Sequence, residues 1–204
     1  MFLLAHTGIT SGAAWLINRY AKSRENAVVP EERCGDGSYL FTAYPQAEPE
    51  NMNNVDFRLI ILGSILPDII DKPFELFFPH LGMGTGRGVA HTLLFALILL
   101  IIGTYHYRRG RPGFLYMALA SAGHLVLDRM WQMPKVLLWP LYGFSFPVVG
   151  KPGLGQIPVW WHMLLGDPWV YVSEVIGGLI LLLLFVRLWR CGGLGDFVRE
   201  GRIS

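Results

Sequence analysis

Gly113-Phe-Leu-Tyr-Met-Ala-Leu-Ala-Ser-Ala-Gly-His124-Leu-Val-Leu-Asp128-Arg-Met-Trp131 is an apolar stretch that carries a histidine and an aspartate four residues apart. At about 20 mainly apolar residues a helix spans a bilayer. Residues at i and i+4 share a helix face, close enough to bind one metal ion. Ionisable groups inside an apolar span are costly, so they need partners and mark function by default. The same chain offers suitable partners in His6, Asp68, Asp71, His91, His162 and Glu174.

Composition marks the chain as a membrane protein. Of its 204 residues 52% are hydrophobic and 16% charged, against about 25% charged in soluble domains. Leu179–Val186 is unbroken aliphatic and aromatic, and Leu93–Gly103 nearly so. A net charge of +2, without a basic run interleaved with aromatics, excludes a nucleic-acid partner. Cys34 and Cys191 form no ligand spacing or disulfide framework and read as reduced thiols. The N-terminal apolar stretch has no basic region ahead of it and no clear cleavage site after it, and reads as a retained first helix.

The expected fold is all-α: a polytopic bundle of about five helices forming a single domain over residues 1–204. Val89–Tyr107, Gly113–Trp131 and Trp169–Trp189 qualify as spans, while Phe2–Ile17 and Phe57–Ile70 are short for one. Residues 23–56 read as a polar cytoplasmic insertion, and 134–168, rich in Trp, Pro and Gly, as a cap at the membrane interface. Arg108-Arg109-Gly110-Arg111-Pro112 is a tight basic turn. Placing it in the cytoplasm puts Arg19, Lys22, Arg24, Arg33, Arg58, Arg187, Arg190, Arg199 and Arg202 there too, and leaves Lys72, Arg87, Arg129, Lys135 and Lys151 outside. The N-terminus then faces out. His6, Asp68, Asp71, His91, His124, Asp128 and Glu174 all fall in the outer half of the bundle.

Each motif has a chemistry. Gly63-Ser-Ile-Leu-Pro-Asp68-Ile-Ile-Asp71-Lys-Pro73 sets two carboxylates on one helical face, bracketed by prolines that break the backbone ladder. The blander alternative is a helix end with Asp71 paired to Lys72. Gly84-Thr-Gly-Arg87-Gly-Val-Ala-His91-Thr92 is a glycine-rich turn leading into a helix. Its backbone can approach a ligand closely, and Arg87 can grip a phosphate. Glu174, among Val172, Val175 and Ile176, needs a partner. His162 alone reads as interfacial, and His80 and His106 as outside the site. Imidazoles and carboxylates without thiolate suit zinc, manganese or iron, as one or two ions. Such ions activate water against a phosphoester, with Asp71 and Arg87 as the catalytic side chains and Arg87 stabilising the developing charge.

The order GSILPDIIDKP, GRGVAHTLLF, GHLVLD, with WPLYG downstream, resembles a family of small membrane-bound metal-dependent hydrolases of bacteria and archaea. The resemblance covers His6 to Glu174 apart from the insertion. It implies metal binding at His6, Asp68, His91, His124 and Asp128, and extends more loosely to Asp71 and Glu174. Many members carry His-Arg where this chain has Gly86-Arg87, and His where it has Lys72. The His/Asp order is also similar to that of zinc-dependent phospholipases C. These resemblances imply a plasma-membrane enzyme acting on a phospholipid or lipid-linked phosphate from the extracytoplasmic side. An ion- or proton-coupled transporter and a metal-locked scaffold remain the alternatives, although no inverted repeat is evident.

Overall fold

The computed structural model describes residues 3–27, 55–77, 86–147 and 157–203. Among them regular structure is helical throughout: α1 (Leu3–Ala27), α2 (Phe57–Phe77), α3 (Leu93–Tyr107), α4 (Gly113–Leu127), α5 (Pro134–Leu137), α6 (Ile157–Gly166), α7 (Pro168–Arg190) and α8 (Leu194–Glu200). Short 3-10 turns, Val89–His91 and Met130–Gln132, precede α3 and follow α4. Helix α2 packs on both α1 and α4, α1 on α7, and α4 on α3.

The helix ends follow local chemistry. Thr92 caps α3 by accepting from the Phe95 N–H at 3.1 Å, and Asp167 caps α7 through the Trp169 N–H, with Pro168 in the first turn. Gly110, with φ of +77°, closes the end of α3 as the Arg111 N–H reaches back to the His106 carbonyl at 3.0 Å. At that end of the bundle, Arg58 on α2 donates to the Val198 and Arg199 carbonyls of α8 and to Asp56. Burial opposes the charge of Asp56, yet the Arg58 side chain and backbone hold its carboxyl below the usual range.

Several element boundaries differ from those read off the sequence. Helix α1 is longer than Phe2–Ile17 and takes in the first residues assigned to the 23–56 insertion; positions 28–54 lie outside the described residues. Helix α2 continues through Pro67 and Pro73 instead of ending there. The expected span Val89–Tyr107 splits, because the Thr92 cap starts the α-helix only at Leu93. The span Gly113–Trp131 stops at Leu127, where Asp128 is the C-cap and Arg129 turns left-handed at φ 54°. Within the cap, positions 148–156 lie outside the described residues.

Among the described residues, Pro168–Arg190 is the one helix both long and apolar enough to cross a membrane. It matches the expected span Trp169–Trp189. Helices α3 and α4 are apolar but 15 residues each, about 22 Å at the α-helical rise, against a hydrocarbon core of about 30 Å. Helices α1 and α2 are long enough but bury His6, Ser11, Ser64 and Asp71. Leu179, Leu182 and Leu183 on α7 and Ile98, Ile101 and Ile102 on α3 point outward, an apolar surface too extensive for water.

Close crossings depend on missing side chains. A methyl group on Gly8 of α1 would collide with the Gly177 carbonyl of α7, and one on Gly63 of α2 with the Met117 carbonyl of α4. Small residues allow this approach where apolar helices gain little from leaving lipid for each other. Gly8 lies just past His6, so the α1–α7 crossing also fixes the depth of that imidazole. Gly8→Leu is expected to lower stability by about 1–3 kcal/mol, as overpacking does, read as earlier thermal unfolding in detergent.

Candidate functional site

Five side chains from four segments meet at one end of the bundle. His6 comes from the first turns of α1, Asp68 from the second half of α2, and His91 from the turn before α3. His124 and Asp128 come from the end of α4. The three imidazoles are fully buried at 0% exposure, and the Asp128 side chain is 3% exposed.

Their ring nitrogens are held in specific roles. Nδ1 of His91 lies 2.7 Å from an Asp71 carboxylate oxygen, and Nδ1 of His124 lies 2.7 Å from the Ser64 carbonyl. A carboxylate and a carbonyl both accept, so each Nδ1 donates, and in a neutral ring the Nε2 keeps its lone pair. Those two Nε2 atoms face one another at 3.2 Å. Two lone pairs buried in contact repel unless a metal ion or a proton lies between them.

The carboxylates surround the same point. Asp68 Oδ1 is 3.6 Å from His91 Nε2 and 3.8 Å from His124 Nε2. Asp128 Oδ2 is 3.8 Å from His91 Nε2, and its Oδ1 is 3.2 Å from His6 Nε2. The His6 ring stacks on His124 with centroids 3.8 Å apart. Two triads, His6–Asp68–His124 and His91–His124–Asp128, each bring their ligand atoms within 4.8 Å of one another. Donors arranged tetrahedrally at zinc–nitrogen distance from one centre are about 3.4 Å apart. The observed spacings fit a shared divalent ion.

Helix α2 supplies the outer support. Pro67 has no N–H for the Gly63 carbonyl and loosens that turn; the adjacent Ser64 carbonyl is the one that accepts from His124. The Asp71 carboxylate takes backbone N–H groups from Gly88 at 2.7 Å, Ala90 at 3.1 Å and His91 at 3.1 Å, besides the His91 ring. The glycine-rich turn therefore closes around a carboxylate of the protein itself. This is the carboxylate–histidine support common behind metal ligands.

A family model described as YdjM inner membrane protein matches residues 36–193, more than half of the chain. The chain belongs to the YdjM inner membrane protein family. It is therefore a membrane protein, in keeping with the apolar outer faces of α3 and α7. No curated protein and no solved structure matches it.

In this YdjM-family chain the other expected site residues fall in different places. Asp71, expected as catalytic, is bound to the turn that carries His91. Glu174, expected as a metal ligand, accepts from the Leu4 and Ala5 N–H groups at 3.0 and 3.3 Å and belongs to neither ligand triad. It satisfies the first turn of α1, where a carboxylate is favoured by the helix dipole. His162 on α6 is exposed. Arg87 Nε sits 2.7 Å from Asp128 Oδ2, and Arg87 also reaches Met133 Sδ at 3.6 Å.

Two participants escaped the sequence reading. Lys72 pairs with Asp68 at 2.6 Å instead of with Asp71, a pairing that the i, i+4 spacing signals. Ser64 acts through its carbonyl, which no side-chain pattern reveals.

Asp71→Asn keeps the shape but removes the charge that holds the His91 tautomer. It is expected to weaken metal affinity about 10–100-fold, measured by competition with a chromogenic chelator. Asp71→Ala is expected to lower the unfolding temperature as well, because it strands three backbone N–H groups.

Proposed function

We propose that the protein is a membrane-bound metal-dependent hydrolase of phosphoesters, acting on a phospholipid or a lipid-linked phosphate. The observation that carries this reading is the pair of buried Nε2 atoms 3.2 Å apart, in rings whose Nδ1 atoms are each backed by a fixed acceptor. His6, Asp68, His91, His124 and Asp128 would hold the ion. Their donor set of imidazole and carboxylate suits zinc, with manganese or iron as substitutes. When bound, such an ion supplies a nucleophilic water at neutral pH and polarises a phosphoryl oxygen.

The protein's own groups do the rest. Asp71 and the Ser64 carbonyl orient two imidazoles, so that little reorganisation is needed on binding. Arg87, beside Asp128 and 29% exposed, presents guanidinium N–H groups of the geometry that grips phosphate oxygens. The surrounding apolar helices exclude water and strengthen these electrostatic contacts.

Within an expected bundle of about five helices, the basic-residue distribution supports a cytoplasmic α3–α4 turn and C-terminus. The cluster then opens toward the extracytoplasmic leaflet, where a lipid reaches it sideways. A second reading rests on the same nitrogen pair: a proton shared between His91 and His124, within a proton- or ion-coupled pathway.

Elemental analysis of protein purified without chelators separates the two. At least one zinc, manganese or iron ion per chain is expected, together with chelator-sensitive cleavage of a lipid phosphoester. His124→Ala and Asp128→Ala are expected to lose both while keeping the wild-type helical circular dichroism. Metal-free protein that moves protons across liposomes would reverse the order of the two readings.

A further inference from the structure

We propose that Leu141, Tyr142 and Phe144 form a bilayer-inserting lip that holds the imidazole–carboxylate cluster at the depth of the phospholipid headgroups. The inference rests on the membrane character of the chain and on its geometry, and not on a metal or on hydrolysis.

Helix α7 supplies the depth scale. Its 23 residues cover about 35 Å at the α-helical rise, enough to cross a hydrocarbon core of about 30 Å. Its start runs from the Asp167 cap through Pro168 to Trp169, a step from charge to aromatic ring of the kind found where a spanning helix leaves the hydrocarbon. The Arg129 guanidinium lies over the Trp169 ring, 4.3 Å from its centroid. Arg129 directly follows Asp128, so the end of α4 and the cluster share the level of that boundary.

The segment after Arg129 starts at this level and stays against the bundle. Met130 and Val136 are buried with Ala96 of α3 and Leu125 of α4, and Met133 and Phe146 pack around them. Met133 also touches Arg87. Phe146 stacks on Trp139 with centroids 5.5 Å apart, and Phe144 meets Trp139 edge-on at 6.1 Å. A continuous line of side chains thus connects the cluster to Phe144. Two backbone bonds close the turn, from the Leu141 N–H to the Leu138 carbonyl at 2.8 Å and from the Gly143 N–H to the Pro140 carbonyl at 2.9 Å. Gly143 supplies the φ of +108° found there.

This held turn points apolar side chains outward. Leu141 is 82% exposed, Tyr142 63% and Phe144 83%. Three large residues so exposed on one short turn are unfavourable in water. At the level where α7 leaves the hydrocarbon, what they meet is lipid. Two features limit how deep they go. Tyr142 favours a place with its ring in apolar and its hydroxyl in wet surroundings, and a non-helical turn carries backbone groups that hydrocarbon cannot satisfy. The lip therefore sits where headgroups meet acyl chains, and its packing through Met133 fixes the cluster beside it.

Spin labelling of the full chain in phosphatidylcholine–phosphatidylglycerol bilayers tests the proposal. Cys34→Ser and Cys191→Ser give the background, and Leu141→Cys and Phe144→Cys carry the label at exposed positions. Leu182→Cys, on the outward face of α7, is the lipid reference, and Arg109→Cys, in the exposed α3–α4 turn, the aqueous one. Both lip labels are expected to collide with oxygen more often than with a water-soluble nickel chelate, as at Leu182. With Leu141→Ser and Phe144→Ser combined, a label at the exposed Gln132 is expected to shift toward the nickel chelate, because the anchor is lost. Nickel-dominated collisions at either lip position, or an unchanged Gln132 label in the serine variant, overturn the proposal. So does spin–spin broadening that disappears on dilution with unlabelled protein, which assigns the lip to a second copy of the chain. None of these measurements needs bound metal or activity, so their failure is distinct from failure of the hydrolase reading.

Discussion

The structure turns on one constraint: polar groups buried among apolar helices must find their partners inside the protein. His91 and His124 meet it on one side only. Their Nδ1 atoms face Asp71 and the Ser64 carbonyl, and their Nε2 atoms face each other across 3.2 Å. Much of the remaining architecture serves to hold that pair. Helix α2 brings both acceptors, α4 brings His124 and Asp128, and the glycine-rich turn folds around Asp71 to present His91.

Close helix packing and site geometry are the same problem here. Apolar helices in lipid gain little hydrophobic energy from each other, so they associate where small residues let backbones touch. Gly63 against Met117 sets α2 on α4, and thereby sets the Ser64 carbonyl opposite His124. Gly8 against Gly177 sets α1 on α7, where Glu174 receives the first N–H groups of α1 just ahead of His6. A carboxylate that looked like a metal ligand in sequence thus positions the helix that carries His6.

Membership of the YdjM inner membrane protein family agrees with the outward apolar faces of α3 and α7. Only α7 is both long and apolar enough to span by itself among the described residues. The shorter α3 and α4 and the polar-containing α1 and α2 make the bundle less uniform than five equivalent spans. Their irregularities fall where the cluster lies: the 3-10 turn at His91, the α4 C-cap at Asp128 and the prolines of α2.

Sequence alone determined the helical class, the run Trp169–Trp189, and the HxxxD pair, because apolar length and i, i+4 spacing are local properties of the chain. It also named His6, Asp68 and His91 as companions of that pair, from residue type and a shared level in the bundle. It did not separate the residues that face the imidazole pair from those that support it. Asp71 and Asp68 are equally acidic and three residues apart, and only the fold turns one toward the His91 backbone and Nδ1 and the other toward the two Nε2 atoms. The roles of Glu174, Lys72 and the Ser64 carbonyl were likewise decided in three dimensions. Each depends on which backbone group or charge a neighbouring helix presents, and a linear pattern carries no record of that.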